Sequence, residues 1–288
     1  MAQKRHLEGG MLIGFLAGVE SRVTKDLDTT ISGFTLTHES AEIAFSEICS
    51  VEIDDDISFK FLRTEDIRET DDYPGIRVFL KANYAPMSVP LSVDVTTGDA
   101  ITPAAVKYGY PLMFDERVIR VKAYPVETVM AEKLETVISR GVANTRPRDY
   151  YDVYKLWVTR GETIDAAVLI RALKATCEKR GSAGVVCRYE DVMDEVLADG
   201  QMAARWNAYA RDYSYARGIT IEQCCRTVRH IMELITQSGP RRNSVQNHKE
   251  SPSQQAKRQA RRASIVIVYA IRPARQPRPA RQQPSWRP

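Results

Sequence analysis

Two aspartates separated by a single residue, Asp26-Leu27-Asp28, open a stretch (residues 26–31) whose composition suits a β-strand. Residues two apart on a strand face the same side, so both carboxylates would point together. Paired carboxylates repel, and such a pair is relieved by a divalent cation or by one shared proton. Mg2+ (or Mn2+) prefers hard oxygen ligands of this kind, completed by water and substrate phosphates. Asp94 offers a third carboxylate from a separate predicted strand. There Val89, Leu91, Val93 and Val95 alternate with Ser88, Ser92, Asp94 and Thr96. Three carboxylates from two strands suffice to hold the two metal ions that stabilise the attacking and leaving oxygens of phosphoryl transfer. Solvated surface acids explain the same residues with less chemistry, and both readings stand at this point.

Three further groups could serve such a reaction. Gly9-Gly10 precedes a predicted short helix, and glycines there let backbone N–H groups approach a phosphate; a simple turn is the plainer alternative. Lys133 falls inside the apolar stripe Val126, Val129, Met130, Leu134 and Val137 of a helix predicted over residues 125–140. A lysine so placed must snorkel, pair, or point into a polar cavity. Asp149 and Asp152 follow Pro147, which suits the first position of another helix, and three residues' spacing puts them on one face. They could cap that helix, pair with Arg146 or Arg148, or orient Lys133 or an incoming hydroxyl. Tyr150, Tyr151, Tyr154 and Trp157 form an aromatic cluster at helical spacing, which suits a core.

The elements that must position these residues divide the chain into three. Residues 1–122 alternate strand-like and helix-like stretches: a short helix over 10–18, a helix over 37–50, and strands over 57–62, 76–81, 88–96 and 118–122. On the second of these strands Ile76, Val78 and Leu80 alternate with Arg77, Phe79 and Lys81. Residues 123–238 read as helix after helix. Residues 239–288 carry 12 Lys/Arg against one acid, Glu250, and half of all the prolines, and are predicted to be disordered. The net charge of +4 is therefore an average of a basic tail and an acidic body, whose 238 residues hold 29 basic and 36 acidic side chains. No apolar run approaches the roughly 18–20 residues of a membrane span. Five cysteines without a CxxC pair, and four scattered histidines, suit free thiols in a reducing compartment rather than zinc. A cytoplasmic location is the expectation, with no membrane partner.

Taken together and in order, these pieces resemble the AbiEii/AbiGii toxin family of nucleotidyltransferases. Gly9-Gly10-Met11-Leu12-Ile13, followed by Arg22-Val23-Thr24-Lys25-Asp26-Leu27-Asp28-Thr29-Thr30, is similar to the family's opening motif. Residues 91–99 resemble a later strand, and Glu127-Thr128-Val129-Met130-Ala131-Glu132-Lys133-Leu134 resembles the helix that carries its lysine. Arg146-Pro147-Arg148-Asp149-Tyr150-Tyr151-Asp152 resembles its R-x-x-D-x-x-D segment. The resemblance implies an α+β fold: a polymerase β-like mixed sheet with helices, followed by an all-helical region that completes the active site. It implies transfer of a nucleotidyl group from an NTP, with Mg2+, to an acceptor such as the 3′ end of tRNA. It also implies a cognate antitoxin and a role in phage defence. By motif, Asp26 and Asp28 would bind metal, with Asp94 added as a third ligand. Lys133 would contact NTP phosphates, Gly9 and Gly10 would bind nucleotide, and Asp149 would be the fourth catalytic residue. Such proteins are expected to carry further helical residues ahead of the glycine pair, where this sequence has eight residues. Two other readings remain open: transfer to a small molecule such as an aminoglycoside, and a non-catalytic protein binding nucleotide or nucleic acid. In the latter, Arg272, Arg275, Arg278 and Arg281 of the tail would give salt-sensitive binding.

Overall fold

The computed structural model describes residues 4–18, 27–32, 35–52, 56–67, 75–97, 101–111 and 117–238. Its first half is a mixed sheet. The strands are β1 (Lys4–Glu8), β2 (Leu27–Ser32), β3 (Ser58–Asp66), β4 (Ile76–Tyr84), β5 (Met87–Thr97), β6 (Val106–Pro111) and β7 (Val118–Ala123). Their spatial order is β3-β4-β5-β2-β1-β7-β6. The β2/β5 and β1/β7 pairs are parallel, and the other pairs are antiparallel. β2, which carries Asp28, lies in the interior of the sheet between β5 and β1.

Alternation decides the two faces. Leu27 and Ile31, Ile76, Val78 and Leu80, and Val93 and Val95 are all buried on one side. Helix α1 (Gly9–Ala17) and helix α2 (His38–Cys49) cover that side. The first is apolar around most of its surface, with Leu12, Ile13, Leu16 and Ala17 buried, as befits a helix wedged inside a protein. Its C-terminal carbonyl at Leu16 accepts a hydrogen bond from Arg160 Nε at 2.8 Å. α2 starts at a reciprocal cap, in which Thr37 Oγ1 accepts from Ser40 N–H and Ser40 Oγ accepts from Thr37 N–H. Ala41, Ala44, Phe45 and Ile48 form its buried stripe.

From Val126 onward the described chain is helical. α3 (Val126–Arg140) and α4 (Pro147–Arg160) are followed by α5 (Ala166–Arg180), the four-residue α6 (Ala183–Val186), α7 (Tyr189–Ala198), α8 (Gly200–Asp212) and α9 (Ile221–Ser238). α3 lies at the centre of this half and packs on α4, α5, α6 and α7. One continuous apolar core joins both halves, because α1 packs on α4 as well as on the sheet. No helix among the described residues is long and apolar enough to cross a membrane.

Two strands depart from the sequence reading. Residues 4–8, to which the sequence pattern assigned no element, form β1 in the interior of the sheet. The strand reads as polar because His6 and Glu8 face the sheet's polar side, and only Leu7 joins the core. β6 was missed as well; Gly109 and Pro111 obscure its pattern, and it lies at the sheet edge, where proline is tolerated. The predicted tail, 239–288, lies outside the described residues.

Candidate active site

The polar face of the sheet carries a row of ionisable side chains. Glu65, Arg77, Asp94, Asp28 and Glu8 are successive register partners across β3, β4, β5, β2 and β1. Register partners face the same side, and neighbouring strands lie about 4.8 Å apart. Asp94, Asp28 and Glu8 therefore stand side by side, and their mutual repulsion has to be compensated. Each has a visible partner. Glu8 Oε1 accepts hydrogen bonds from Thr30 Oγ1 at 2.8 Å and Thr96 Oγ1 at 3.0 Å. Asp28 Oδ2 accepts one from the Gly10 N–H at 3.0 Å. Asp94 is held by both arms of Arg77, Nε to Oδ1 at 2.7 Å and Nη2 to Oδ2 at 2.8 Å.

The first residue of α1, Gly9, has to be a glycine. It adopts φ +61°, and a Cβ there would lie 1.9 Å from Asp28 Oδ2. The carboxylate occupies the space that any other residue would fill. The N–H of Gly10 points at this carboxylate, so in this structure the glycine pair serves Asp28. The expected approach of these amides to a phosphate stays a proposal.

A second group sits on the helices. Lys133 Nζ donates to Asp149 Oδ1 at 2.6 Å and lies 3.0 Å from Asp152 Oδ2. Both carboxylates are almost wholly buried, and Lys133 is 15% exposed. Lys133 thus pairs rather than snorkels. Asp149 Oδ2 is buried without a hydrogen-bond partner, and Arg146 Nε lies 3.7 Å away, beyond hydrogen-bond range. Burial alone would push the Asp149 carboxyl up. The Lys133 and Arg146 charges, the Lys133 hydrogen bond and Arg148 outweigh it and hold the pKa below the ordinary carboxylate value. Tyr124 ties the entry of α3 to the sheet: its N–H donates to Leu7 O, and its hydroxyl donates to Thr30 Oγ1 at 2.8 Å.

The structure thus brings Asp28 beside Asp94, ties Gly9 and Gly10 to Asp28, and brings Lys133 to Asp149. Asp26 lies outside the described residues. Glu8 and Arg77 have no motif to announce them; a glutamate directly before the glycines, and an arginine on the polar side of an alternating strand, were the only traces. Tyr150 and Tyr151 are core residues. The all-oxygen chemistry of Asp28 and its register neighbours suits a hard divalent cation such as Mg2+ or Mn2+. Among the described residues no cluster of three ligands stands ready assembled, and Arg77 occupies Asp94.

The family model described as the nucleotidyl transferase AbiEii toxin of a type IV toxin–antitoxin system matches residues 2–232. Among solved structures, the chain is similar to JHP933 from Helicobacter pylori, at 14% identity and a TM-score of 0.43, over 81% of this chain and 85% of that one. It is also similar to an antigenic nucleotidyltransferase-like protein from Paracoccidioides brasiliensis, at 14% identity and a TM-score of 0.35, over 65% and 84% of the respective chains. No curated protein sequence matches the chain.

Proposed function

The chain belongs to the AbiEii nucleotidyltransferase toxin family, and from that premise we propose that it transfers a nucleotidyl group from an NTP to an RNA acceptor such as tRNA. The observation that carries the proposal is the lock between Gly9-Gly10 and Asp28, which fixes a carboxylate beside Asp94 on the polar face of the sheet. In the transfer, an acceptor hydroxyl oxygen attacks the α-phosphorus. A P–O bond forms, the bond to pyrophosphate breaks, and the hydroxyl proton passes to water.

Asp28 and Asp26, with Asp94 as a third ligand, would hold Mg2+ or Mn2+. Such a cation supplies Lewis-acid stabilisation of charge on the phosphoryl oxygens. Lys133 would present its ammonium to the NTP phosphates as a point charge. Asp149 and Asp152 hold that ammonium in place, and Asp149 completes the catalytic set. Gly9 and Gly10 set the Asp28 position and border the nucleotide. A cytoplasmic antitoxin would restrain the activity, and blocked translation would serve phage defence.

The test is incubation of the full chain with Mg2+, each α-labelled NTP in turn, and total RNA. Label is expected in the tRNA fraction with one preferred nucleotide. Label that enters no RNA, from a protein shown to be folded, contradicts the RNA acceptor.

A further inference from the structure

Arg77 is the one cation in the row formed by Glu65, Arg77, Asp94, Asp28 and Glu8. It is placed beside the acid that the nucleotidyl-transfer reading needs as a third metal ligand. Its guanidinium grips Asp94 by a two-armed fork, at 2.7 and 2.8 Å. A carboxylate has roughly four lone-pair positions, so the fork occupies about half of them. It also neutralises the charge that would draw a cation. The two side chains differ in exposure: Asp94 is 16% exposed and Arg77 is 42% exposed. The carboxylate is fixed in the sheet, while the guanidinium reaches it from the solvent side on a long flexible stem. The arginine is therefore the partner able to leave. A guanidinium released here suits a phosphate, which it can bind with the same fork.

We propose that Arg77 trades Asp94 for substrate polyphosphate. In the resting protein it holds Asp94 away from a divalent cation. When a cation takes Asp94, the freed guanidinium binds phosphate oxygens of the substrate. Cation and polyphosphate then each favour the other's binding through one side chain, a reciprocal coupling. The inference rests on the nucleotidyl-transfer reading of the acidic row.

The experiment measures Mn2+ binding to the full chain by calorimetry, with and without inorganic tripolyphosphate. The proteins are the wild type, Arg77→Gln, Asp94→Asn, the double variant and Asp28→Asn. Arg77→Gln is expected to bind Mn2+ alone about five- to tenfold tighter than wild type, the lower range of typical site couplings. It should also lose most of the tightening that tripolyphosphate gives the wild type. In the Asp94→Asn background the Arg77→Gln gain should vanish, because the gain acts through Asp94. A damaged fold weakens binding, so a gain in affinity separates this role from a structural one. Should Arg77→Gln not fold, Arg77→Lys is expected to show a smaller gain in the same direction. Unchanged or weaker Mn2+ binding by the Arg77 variant, or a gain that persists without Asp94, overturns the proposal. Mn2+ binding unaffected by Asp28→Asn contradicts the metal-site reading itself, and with it this inference.

Discussion

At Gly9, where a Cβ would lie 1.9 Å from Asp28 Oδ2, the demands of backbone and site coincide. The positive φ costs an L-residue roughly 1–2 kcal/mol, and the steric overlap must move the carboxylate as well. Gly9→Ala is therefore expected to fold with modest loss of stability yet lose activity by about a hundredfold, the scale of a small misplacement of a reacting group. Thermal melting and single-turnover transfer, measured on the same preparation, check both halves. Activity near wild type would show that Asp28 need not sit where the glycine puts it. Asp28 and Lys133 stood out as candidates in the sequence because spacing and stripe position are one-dimensional signals. Glu8, Arg77 and the Asp28–Asp94 adjacency did not, because cross-strand register decides them. The two ion-pair groups also differ in weight. The part-exposed Arg77–Asp94 pair contributes about 1 kcal/mol or less, whereas stripping Lys133 from two buried carboxylates would cost about 3–5 kcal/mol. The first is fit to switch and the second to hold.

At the scale of elements, β1 is the segment whose reading changed most. Lys4–Glu8 looks like a polar leader, yet it lies between β2 and β7 and brings Glu8 onto Thr30 and Thr96. β5 was readable because Val93 and Val95 alternate with Asp94 and Thr96. β1 was not, because Glu8, on its polar side, is buried against the hydroxyls of Thr30 and Thr96 instead of apolar contacts. The hydroxyl of Thr30 is the hub of that arrangement, linking Glu8, Thr96 and the Tyr124 hydroxyl. Thr30→Val leaves a buried carboxylate one donor short, and a loss of about 1–3 kcal/mol follows. Urea denaturation should show a lower midpoint at an unchanged slope. A midpoint equal to wild type would mean that Glu8 needs no such partner.

At the scale of the whole molecule, the mixed sheet and helical half share one core, and Tyr124 and α1 bridge them. Lys133, Asp149 and Asp152 lie wholly in the helical half, so their ion pairs help set the stability of the joined unit. Asp149 has a folded-state pKa held below the ordinary carboxylate value by the Lys133 and Arg146 charges, which outweigh its burial. A depressed carboxylate contributes stability that is fully present above the unfolded-state pKa. That stability is lost as pH falls through the folded-state value. The melting temperature is thus expected to decline on acidification below about pH 4, and Asp149→Asn should flatten part of that decline. An acid limb identical in both proteins would deny Asp149 its share. Strands give way to helices between Ala123 and Val126, and the sequence signal there is Pro125, which suits the start of a helix. The packing of α1 against both halves could not, since its even apolar coat says only that it is buried.

The most direct measurement follows the phosphorus atoms. Wild type and Asp28→Asn are given NTP labelled at the α- or the γ-position, with Mg2+ and tRNA, and both labelled RNA and pyrophosphate are quantified. The account predicts that α-label enters RNA and γ-label leaves as pyrophosphate, and that Asp28→Asn abolishes both by at least about a thousandfold, the scale on which such catalytic groups act. Transfer of γ-label, or α-transfer undiminished in Asp28→Asn, would contradict it.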